Sequence, residues 1–153
     1  MKKIALLFVI CLGLIAGPAT AENLDPVAVE LFKQFKAVAP LSLASQRVKD
    51  LDEAKAYRIQ TDLVRLHTVH GQAVSGYKAG LTSPPAQEKF KAPGPVAGVL
   101  TQSMLISDGV ARLKGHALMM LEVEIAFELK ADVTAPVDPA AAPGLVAKVM
   151  PAV

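Results

Sequence analysis

The spacing of apolar residues changes near Gly71, and this change constrains the fold more than any other feature of the sequence. Before Gly71, apolar residues recur every three or four positions, as on one face of a helix; they are Ala56, Ile59, Leu63 and Leu66. After it, the spacing shortens toward two in four segments separated by Gly and Pro; they are AVSGYKAGL, AGVLTQSMLI, GVARLKG and LMMLEVEIAFEL. The sequence therefore predicts an α+β fold in which N-terminal helices precede a mixed β-sheet, helical over 25–71 and sheet-rich over 72–131.

Aspartate residues mark where the predicted helices begin. Asp25 can cap a first helix that has Pro26 at its first position. Asp50, with Glu53 three residues later, forms a start for the second helix that resembles a capping box. The tail repeats the Asp-Pro signal, but its later proline and glycine allow only a weak C-terminal helix over 138–150.

The first 21 residues have the composition of an export signal. A basic MKK precedes the apolar run IALLFVICLGLIAG, and a small-residue motif, ATA, comes directly before Glu22. The apolar run is about 14 residues, whereas a membrane-spanning helix needs roughly 20. We therefore expect a cleaved signal peptide over 1–21, no stable membrane anchor after cleavage, and a periplasmic or secreted chain over 22–153. Cys11, the one cysteine, lies in the signal, so no disulfide is expected in the mature chain.

The charge of the mature chain argues against a nucleic-acid partner. The full sequence has a formal charge of +2, and removing Lys2 and Lys3 with the signal leaves zero. Aromatic residues make up 5% of the sequence, so stacking surfaces for bases are scarce. A neutral chain without a basic stripe lacks the electrostatic footprint of a nucleic-acid-binding protein.

Two carboxylates in the last predicted strand are candidate metal ligands. Alternation places Glu122 and Glu124 on the same side of the strand, with Met120 and Ala126. Their Cα atoms would lie about 6.6 Å apart. Two charges at that distance repel by about 0.6 kcal/mol in water but about 2.5 kcal/mol at an effective dielectric of 20. The pattern alone favours a solvated strand face, but a face that also carries apolar residues suits a pocket that holds Mg²⁺ or Mn²⁺.

Three further features each allow more than one interpretation. Lys78 lies between two glycines and is either a pocket lysine or a solvent-facing strand lysine. His67 and His70 have metal-ligand spacing, but without a neighbouring Cys or third His they are interpreted as surface histidines. The segment SDG at 107–109 predicts a turn. The sequence contains no nucleophile elbow, phosphate-binding loop, dinucleotide fingerprint or zinc cluster.

Five segments, in this order, resemble the 2-keto-4-pentenoate hydratase family of the fumarylacetoacetate hydrolase superfamily. They are AYRIQ, GYKAGLTS, AGVL, SDG and LEVEIAFEL, and the resemblance runs from about residue 50 to the end of the sequence. The most specific parts are the lysine in a Gly-x-Lys-x-Gly-Leu-Thr-Ser run and a Glu-x-Glu strand about 45 residues later. The resemblance implies that this chain forms the N-terminal half of a β-rich fold.

The family resemblance also implies an activity and a role for each candidate residue. The reaction would be hydration of a 2-hydroxy-2,4-dienoate, in its 2-oxo form, to a 4-hydroxy-2-oxo acid. Glu122 and Glu124 would be two of three carboxylate ligands to Mg²⁺ or Mn²⁺, which would chelate the 2-oxo acid substrate. Lys78 would transfer a proton or bind the substrate carboxylate, and Thr82 and Ser83 would line the substrate pocket. The resemblance further implies a homo-oligomer.

The sequence departs from the family pattern at both ends. Members are usually cytoplasmic and longer, whereas this sequence begins with an export signal. The third carboxylate of the family is expected about 30 residues after the second, directly after a motif like MPAV, with which this sequence ends. We therefore expect a truncated hydratase-like domain over 22–153 that binds metal weakly, aggregates readily and is inactive or impaired. The alternatives are a related 2-oxo acid decarboxylase and a vestigial, non-catalytic periplasmic protein.

Overall fold

The computed structural model describes residues 24–106, 109–111, 114 and 120–153. The chain divides into two compact units, one up to Val110 and one from Ala111 onward, and each is described by itself. The helices of the first unit are α1 (Pro26–Lys36), α2 (Glu53–Val69) and α3 (Pro84–Phe90), and its strands are β1 (Val74–Gly80) and β2 (Val96–Thr101). The strands of the second unit are β3 (Glu124–Leu129) and β4 (Val146–Ala152).

Helix α1 begins as the sequence predicts. The Asp25 carboxylate accepts a hydrogen bond from the Val27 N–H at 2.8 Å, and Pro26 occupies the first helical position. The backbone N–H of Asp25 also donates to Asp62 Oδ2 of α2 at 2.8 Å. The cap therefore fixes the start of α1 and ties it to the second helix.

Helix α2 begins two residues later than predicted. Asp52 is its N-cap and accepts from the Lys55 N–H at 2.7 Å. An N-cap residue requires extended backbone angles, which Asp52 has, with φ −98° and ψ 172°. Asp50 instead has φ 53°, in the left-handed region, so it cannot serve as the cap. The helix ends before Gly71, as predicted, and this glycine has φ 85°.

The hydrophobic core of the first unit lies between α1 and α2. Its buried members are Ala28, Phe32, Ile59 and Leu66. His67 is buried with them at 6% exposure, so its interpretation as a surface histidine is wrong. Its ring lies edge-on to Phe32 and Phe35, with centroids 5.0 and 4.8 Å apart. The apolar spacing identified Ile59, Leu63 and Leu66 of this face correctly, but Ala56 is exposed, and the spacing did not include the histidine.

The strands form two separate antiparallel pairs among the described residues, where the sequence predicted one mixed sheet. In the first unit β1 pairs with β2, and the register shifts between Val74 and Gly76. In the second unit β3 pairs with β4. The α+β class is confirmed. The mixed sheet is wrong for the described strands because each pairs with a neighbour that runs in the opposite direction.

The C-terminal segment also differs from its prediction. A short 3₁₀ helix, Ala142–Leu145, replaces the expected weak helix over 138–150, and β4 follows directly. Pro143 and Gly144 confine the helical turn. The valines and methionine beyond it meet β3 side by side, for example Val149 opposite Phe127 and Met150 opposite Ala126. Pairing with β3 therefore determined the strand conformation of a segment whose local composition favoured a broken helix.

The signal peptide predicted over 1–21 lies wholly outside the described residues. The SDG turn and the strand candidates GVARLKG and LMMLEVEIAFEL lie partly outside them. Within the part of the chain that the structure describes, no helix has the length and apolarity needed to cross a membrane.

Candidate functional site

Lys78 lies near the middle of β1, on a strand face that it shares with three glycines and with Val96 and Leu100 of β2. It is exposed, and Gly98 of β2 is its direct cross-strand partner. Gly76 and Gly80 lie on the same face, two residues before and after it, because side chains alternate along a strand. Three of the positions next to Lys78 thus lack a Cβ. We refer to Lys78 with these three glycines as the glycine face.

The glycine face depends on close approach between the two strands. A Cβ placed on Gly80 would lie 3.2 Å from Val96 Cγ2, inside ordinary van der Waals contact. A Cβ on Gly98 would lie 3.9 Å from the Lys78 carbonyl oxygen, which is an ordinary contact. A side chain at position 80 would therefore press against Val96, whereas glycine at position 98 leaves open surface opposite Lys78.

Thr82 and Ser83 follow directly after β1, in the turn that leads to α3. Both are exposed, and Ser83 is the N-cap residue of α3 without a capping hydrogen bond from its hydroxyl. Leu81, between them and β1, has φ 52°, which is costly for a residue with a bulky side chain. The Gln87 amide donates to the Leu81 carbonyl at 2.8 Å and holds this turn in place. The structure therefore brings Thr82 and Ser83 to the end of the strand that carries Lys78.

Helix α2 reaches the same strand pair through two side chains that were not predicted as site residues. The Ala97 N–H donates to Tyr57 Oη at 3.0 Å, and Gln60 Nε2 donates to the Ala97 carbonyl oxygen at 3.0 Å. Ala97 is next to Gly98, the partner of Lys78. Tyr57 and Gln60 belong to the segment AYRIQ, and Ala97 belongs to AGVL, so two segments of the family resemblance are in contact. The occurrence of both segments in the family resemblance was the sequence signal that could have indicated this contact.

Glu122 and Glu124 are exposed, and both belong to the second unit. Glu124 is the first residue of β3 and lies opposite Ala152, whereas Glu122 precedes the strand. Glu128, on the same face as Glu124, forms a 2.9 Å ion pair with Lys148 of β4. The exposed ion pair shows that Glu128 faces solvent.

The possible metal ligands among the described residues do not form a complete metal centre. Across residues 24–106, 109–111, 114 and 120–153, no group of three or more His, Cys, Asp or Glu is placed to hold a metal ion. Glu122 and Glu124 are the right kind of ligand for Mg²⁺ or Mn²⁺, since both cations prefer oxygen. The glycine face belongs to the first unit, and this glutamate pair belongs to the second.

His67, a histidine of the α1–α2 core, has a lowered pKa. Burial lowers the pKa of His67 below its ordinary 6.5, and the nearby charges of His70 and Lys36 lower it further. The His67 ring packs in the α1–α2 core, so its burial on folding is the largest cause of the lowered pKa.

Comparison with known proteins gives one informative similarity. No protein-family model matches the sequence. The sequence is 34% identical over 109 residues to 2-hydroxyhexa-2,4-dienoate hydratase from Comamonas testosteroni. The match covers 69% of this chain and 41% of the hydratase, so the chain spans less than half the length of that relative. This similarity agrees with the resemblance carried by the sequence motifs and supports, at low identity, a relationship to hydratases of this type.

Proposed function

We propose that this chain is a hydratase-type polypeptide that binds a 2-hydroxy-2,4-dienoate, in its 2-oxo form, together with Mg²⁺ or Mn²⁺. The observation that carries the proposal is the position of Lys78 on the glycine face, in a sequence similar to a dienoate hydratase. A flat, conjugated acid can lie close to the backbone at the glycine positions of this face, with its carboxylate near a lysine. The geometry thus suits the class of substrate that the relative's name specifies.

The substrate's own chemistry defines what the chain must supply. Water adds its oxygen to C4 of a 2-oxo-3-enoate, and C3 receives a proton, which yields the 4-hydroxy-2-oxo acid. Lys78 serves either as the group that moves a proton at the substrate or as the cation that binds its carboxylate. The Thr82 and Ser83 hydroxyls, at the end of the same strand, are available as hydrogen-bond donors to substrate oxygens.

The glutamate pair would hold the divalent cation. When bound, the cation supplies a Lewis acid that stabilises negative charge on the 2-oxo group. Glu122 and Glu124 lie two residues apart and are both exposed, so neither is shielded from water. Mg²⁺ takes about six oxygen ligands, and two carboxylates leave most of these positions to water and substrate. We therefore expect weak metal binding by the chain alone and tighter binding when a 2-oxo acid is present.

A calorimetric titration tests this proposal. Mn²⁺ is titrated into the purified chain with and without pyruvate, a simple 2-oxo acid. The E122Q/E124Q double variant should lose Mn²⁺ binding, because neutral amides are far poorer ligands for the cation. E128Q is the matched control on the same strand and should bind as the original chain does. K78A should leave Mn²⁺ binding unchanged, and in a separate titration without metal it should weaken pyruvate binding by about tenfold, as expected for losing one charge-assisted contact.

The control decides the outcome. If E128Q reduces Mn²⁺ binding as much as the double variant does, the binding is general attraction to acidic groups, and the metal assignment is wrong. If K78A leaves pyruvate binding unchanged, the substrate role of Lys78 is wrong. A tight Mn²⁺ site without pyruvate would contradict the expectation of an incomplete ligand set.

A further inference from the structure

Tyr57 and Gln60 form hydrogen bonds with both main-chain polar groups of one β2 residue, Ala97. Tyr57 accepts from the Ala97 N–H, and Gln60 donates to the Ala97 carbonyl, each at 3.0 Å. The two side chains lie three residues apart on α2, a spacing that places them on one face of a helix. We refer to these two hydrogen bonds as the α2 clamp.

The clamp acts next to Lys78. In an antiparallel ladder the N–H and C=O of one residue point to the same side of the strand. Both groups of Ala97 point to α2, so the helix takes the place of a neighbouring strand along this edge of β2. Gly98, the next residue, pairs with Lys78, and Ala97 itself pairs with Ala79. The position of α2 is thus transmitted to Lys78 through one cross-strand pair.

The described buried apolar core contains no residue of β1 or β2. Among the described residues, the buried core consists of Ala28, Phe32, Ile59 and Leu66, all in α1 and α2. The partly buried residues packed against it lie between Leu24 and Leu63, and none comes from β1 or β2. A two-stranded sheet is only marginally stable by itself in water. Its alignment with the helices therefore depends strongly on polar contacts such as the clamp.

We propose that Tyr57 and Gln60 are positioning residues that hold the glycine face, and with it the Lys78 amine, in place for the substrate. This inference rests on the proposed function only for what Lys78 binds. The positions of the clamp and of Lys78 are independent of that role. Tyr57 contributes an acceptor and Gln60 a donor, so the clamp depends on hydrogen-bonding capacity as well as on side-chain size.

Paired substitutions separate hydrogen bonding from packing. Gln60→Lys keeps a donor for the Ala97 carbonyl, whereas Gln60→Glu offers only acceptors when ionised. Tyr57→Phe removes the acceptor and leaves the ring. The control is Tyr77→Phe, on the opposite face of β1 at 75% exposure. Each variant is made in the full chain and compared by backbone amide hydrogen exchange at Ala97 and Gly98 and by the NMR chemical shifts of Lys78.

Y57F and Q60E should speed exchange at Ala97 and Gly98 by about three- to tenfold, the range expected for one lost hydrogen bond. They should also move the Lys78 chemical shifts, whereas Q60K and Y77F should match the original chain in both measurements. If Q60E and Q60K behave alike, or if Y57F changes neither measurement, the proposal is wrong. If the clamp variants respond as expected but K78A does not alter pyruvate binding, the positioning role stands and the proposed function fails.

Discussion

His67 shows how one residue can change its apparent character when two helices pack. Its ring lies between Phe32 and Phe35, where water cannot solvate a charged imidazolium. Burial therefore lowers the pKa of His67, and the charges of His70 and Lys36 act in the same direction. The folded chain binds a proton at this site less readily than the unfolded chain does.

This difference predicts a loss of stability in mild acid. A histidine with a lowered pKa in the folded state contributes its full stabilisation above the unfolded value of about 6.5. The contribution falls as the pH drops from there toward the folded pKa, because the unfolded chain takes up the proton first. The urea midpoint of unfolding should therefore fall as the pH is lowered from 7.5 to 5.5.

His67→Gln should flatten this pH dependence, since glutamine does not titrate, although the variant should be less stable at every pH. His70→Gln is the control, because His70 is exposed while still touching Phe32. An H67Q variant with the same pH slope as the original chain would show that other groups cause the effect. The interval avoids the titration of ordinary carboxylates, whose pKa values lie near 4.

The sequence could not reveal the burial of His67. The three- and four-residue spacing in α2 predicted Ile59 and Leu66 as core residues, and both are buried. His67 comes directly after Leu66, but its burial depends on two phenylalanines of α1 that are more than thirty residues away in sequence. Local spacing contains no information about which residue of another helix will lie opposite.

At the scale of elements, the turn between β1 and α3 combines backbone strain with candidate site residues. Leu81 has φ 52°, a left-handed conformation that costs a non-glycine residue about 1 kcal/mol or more. The Gln87 amide binds its carbonyl oxygen, and Thr82 and Ser83 follow immediately. The turn thus directs the chain from Lys78 into the short helix α3.

This strain predicts an unusual order of stability for two variants. At an ordinary helix position, glycine is less stable than alanine by about 0.5–1 kcal/mol. At position 81, L81G should instead be more stable than L81A by about 1 kcal/mol, because only glycine relieves the positive φ. Chemical denaturation of both variants measures the difference.

The matched comparison is R58G against R58A, at an exposed position inside α2 where alanine should be favoured. If L81A is at least as stable as L81G, the left-handed turn is not maintained in solution. The two pairs of variants make the same chemical change, so effects on the unfolded chain largely cancel between them.

Elements with strong local signals were predictable, and elements that depend on pairing were not. Asp25 and Pro26 identified the start of α1, and Gly71 identified the end of α2. Strand β4 was missed because Pro143, Gly144 and several alanines dominate the local pattern, whereas its pairing with β3 depends on residues about twenty positions away. The α2 clamp was missed for the same reason, since Tyr57 and Ala97 are 40 residues apart.

At the scale of the whole chain, the described buried hydrophobic residues lie in one unit, and the other unit exposes an apolar strand face. All described buried hydrophobic residues belong to the first unit, in α1 and α2. In the second unit, one face of β3 and its approach is exposed instead, at Leu121, Val123, Ile125, Phe127 and Leu129. An apolar face of this kind promotes association in water.

This separation predicts that an apolar residue of β3 can be replaced at little cost to folding. Phe127 is 59% exposed and lies opposite Val149. F127T should lower the free energy of unfolding by less than about 1 kcal/mol, the scale of a single cross-strand pair. F32A is the comparison in the buried core, where removing a phenylalanine costs about 3–5 kcal/mol.

The same substitution should reduce self-association, because threonine keeps strand propensity while removing apolar surface. Sedimentation velocity over a range of chain concentrations measures this directly. We expect the original chain to form larger species as its concentration rises, and F127T to do so less. If F127T unfolds the chain as F32A does, Phe127 belongs to a core, and if association is unchanged, the apolar face of β3 does not cause it.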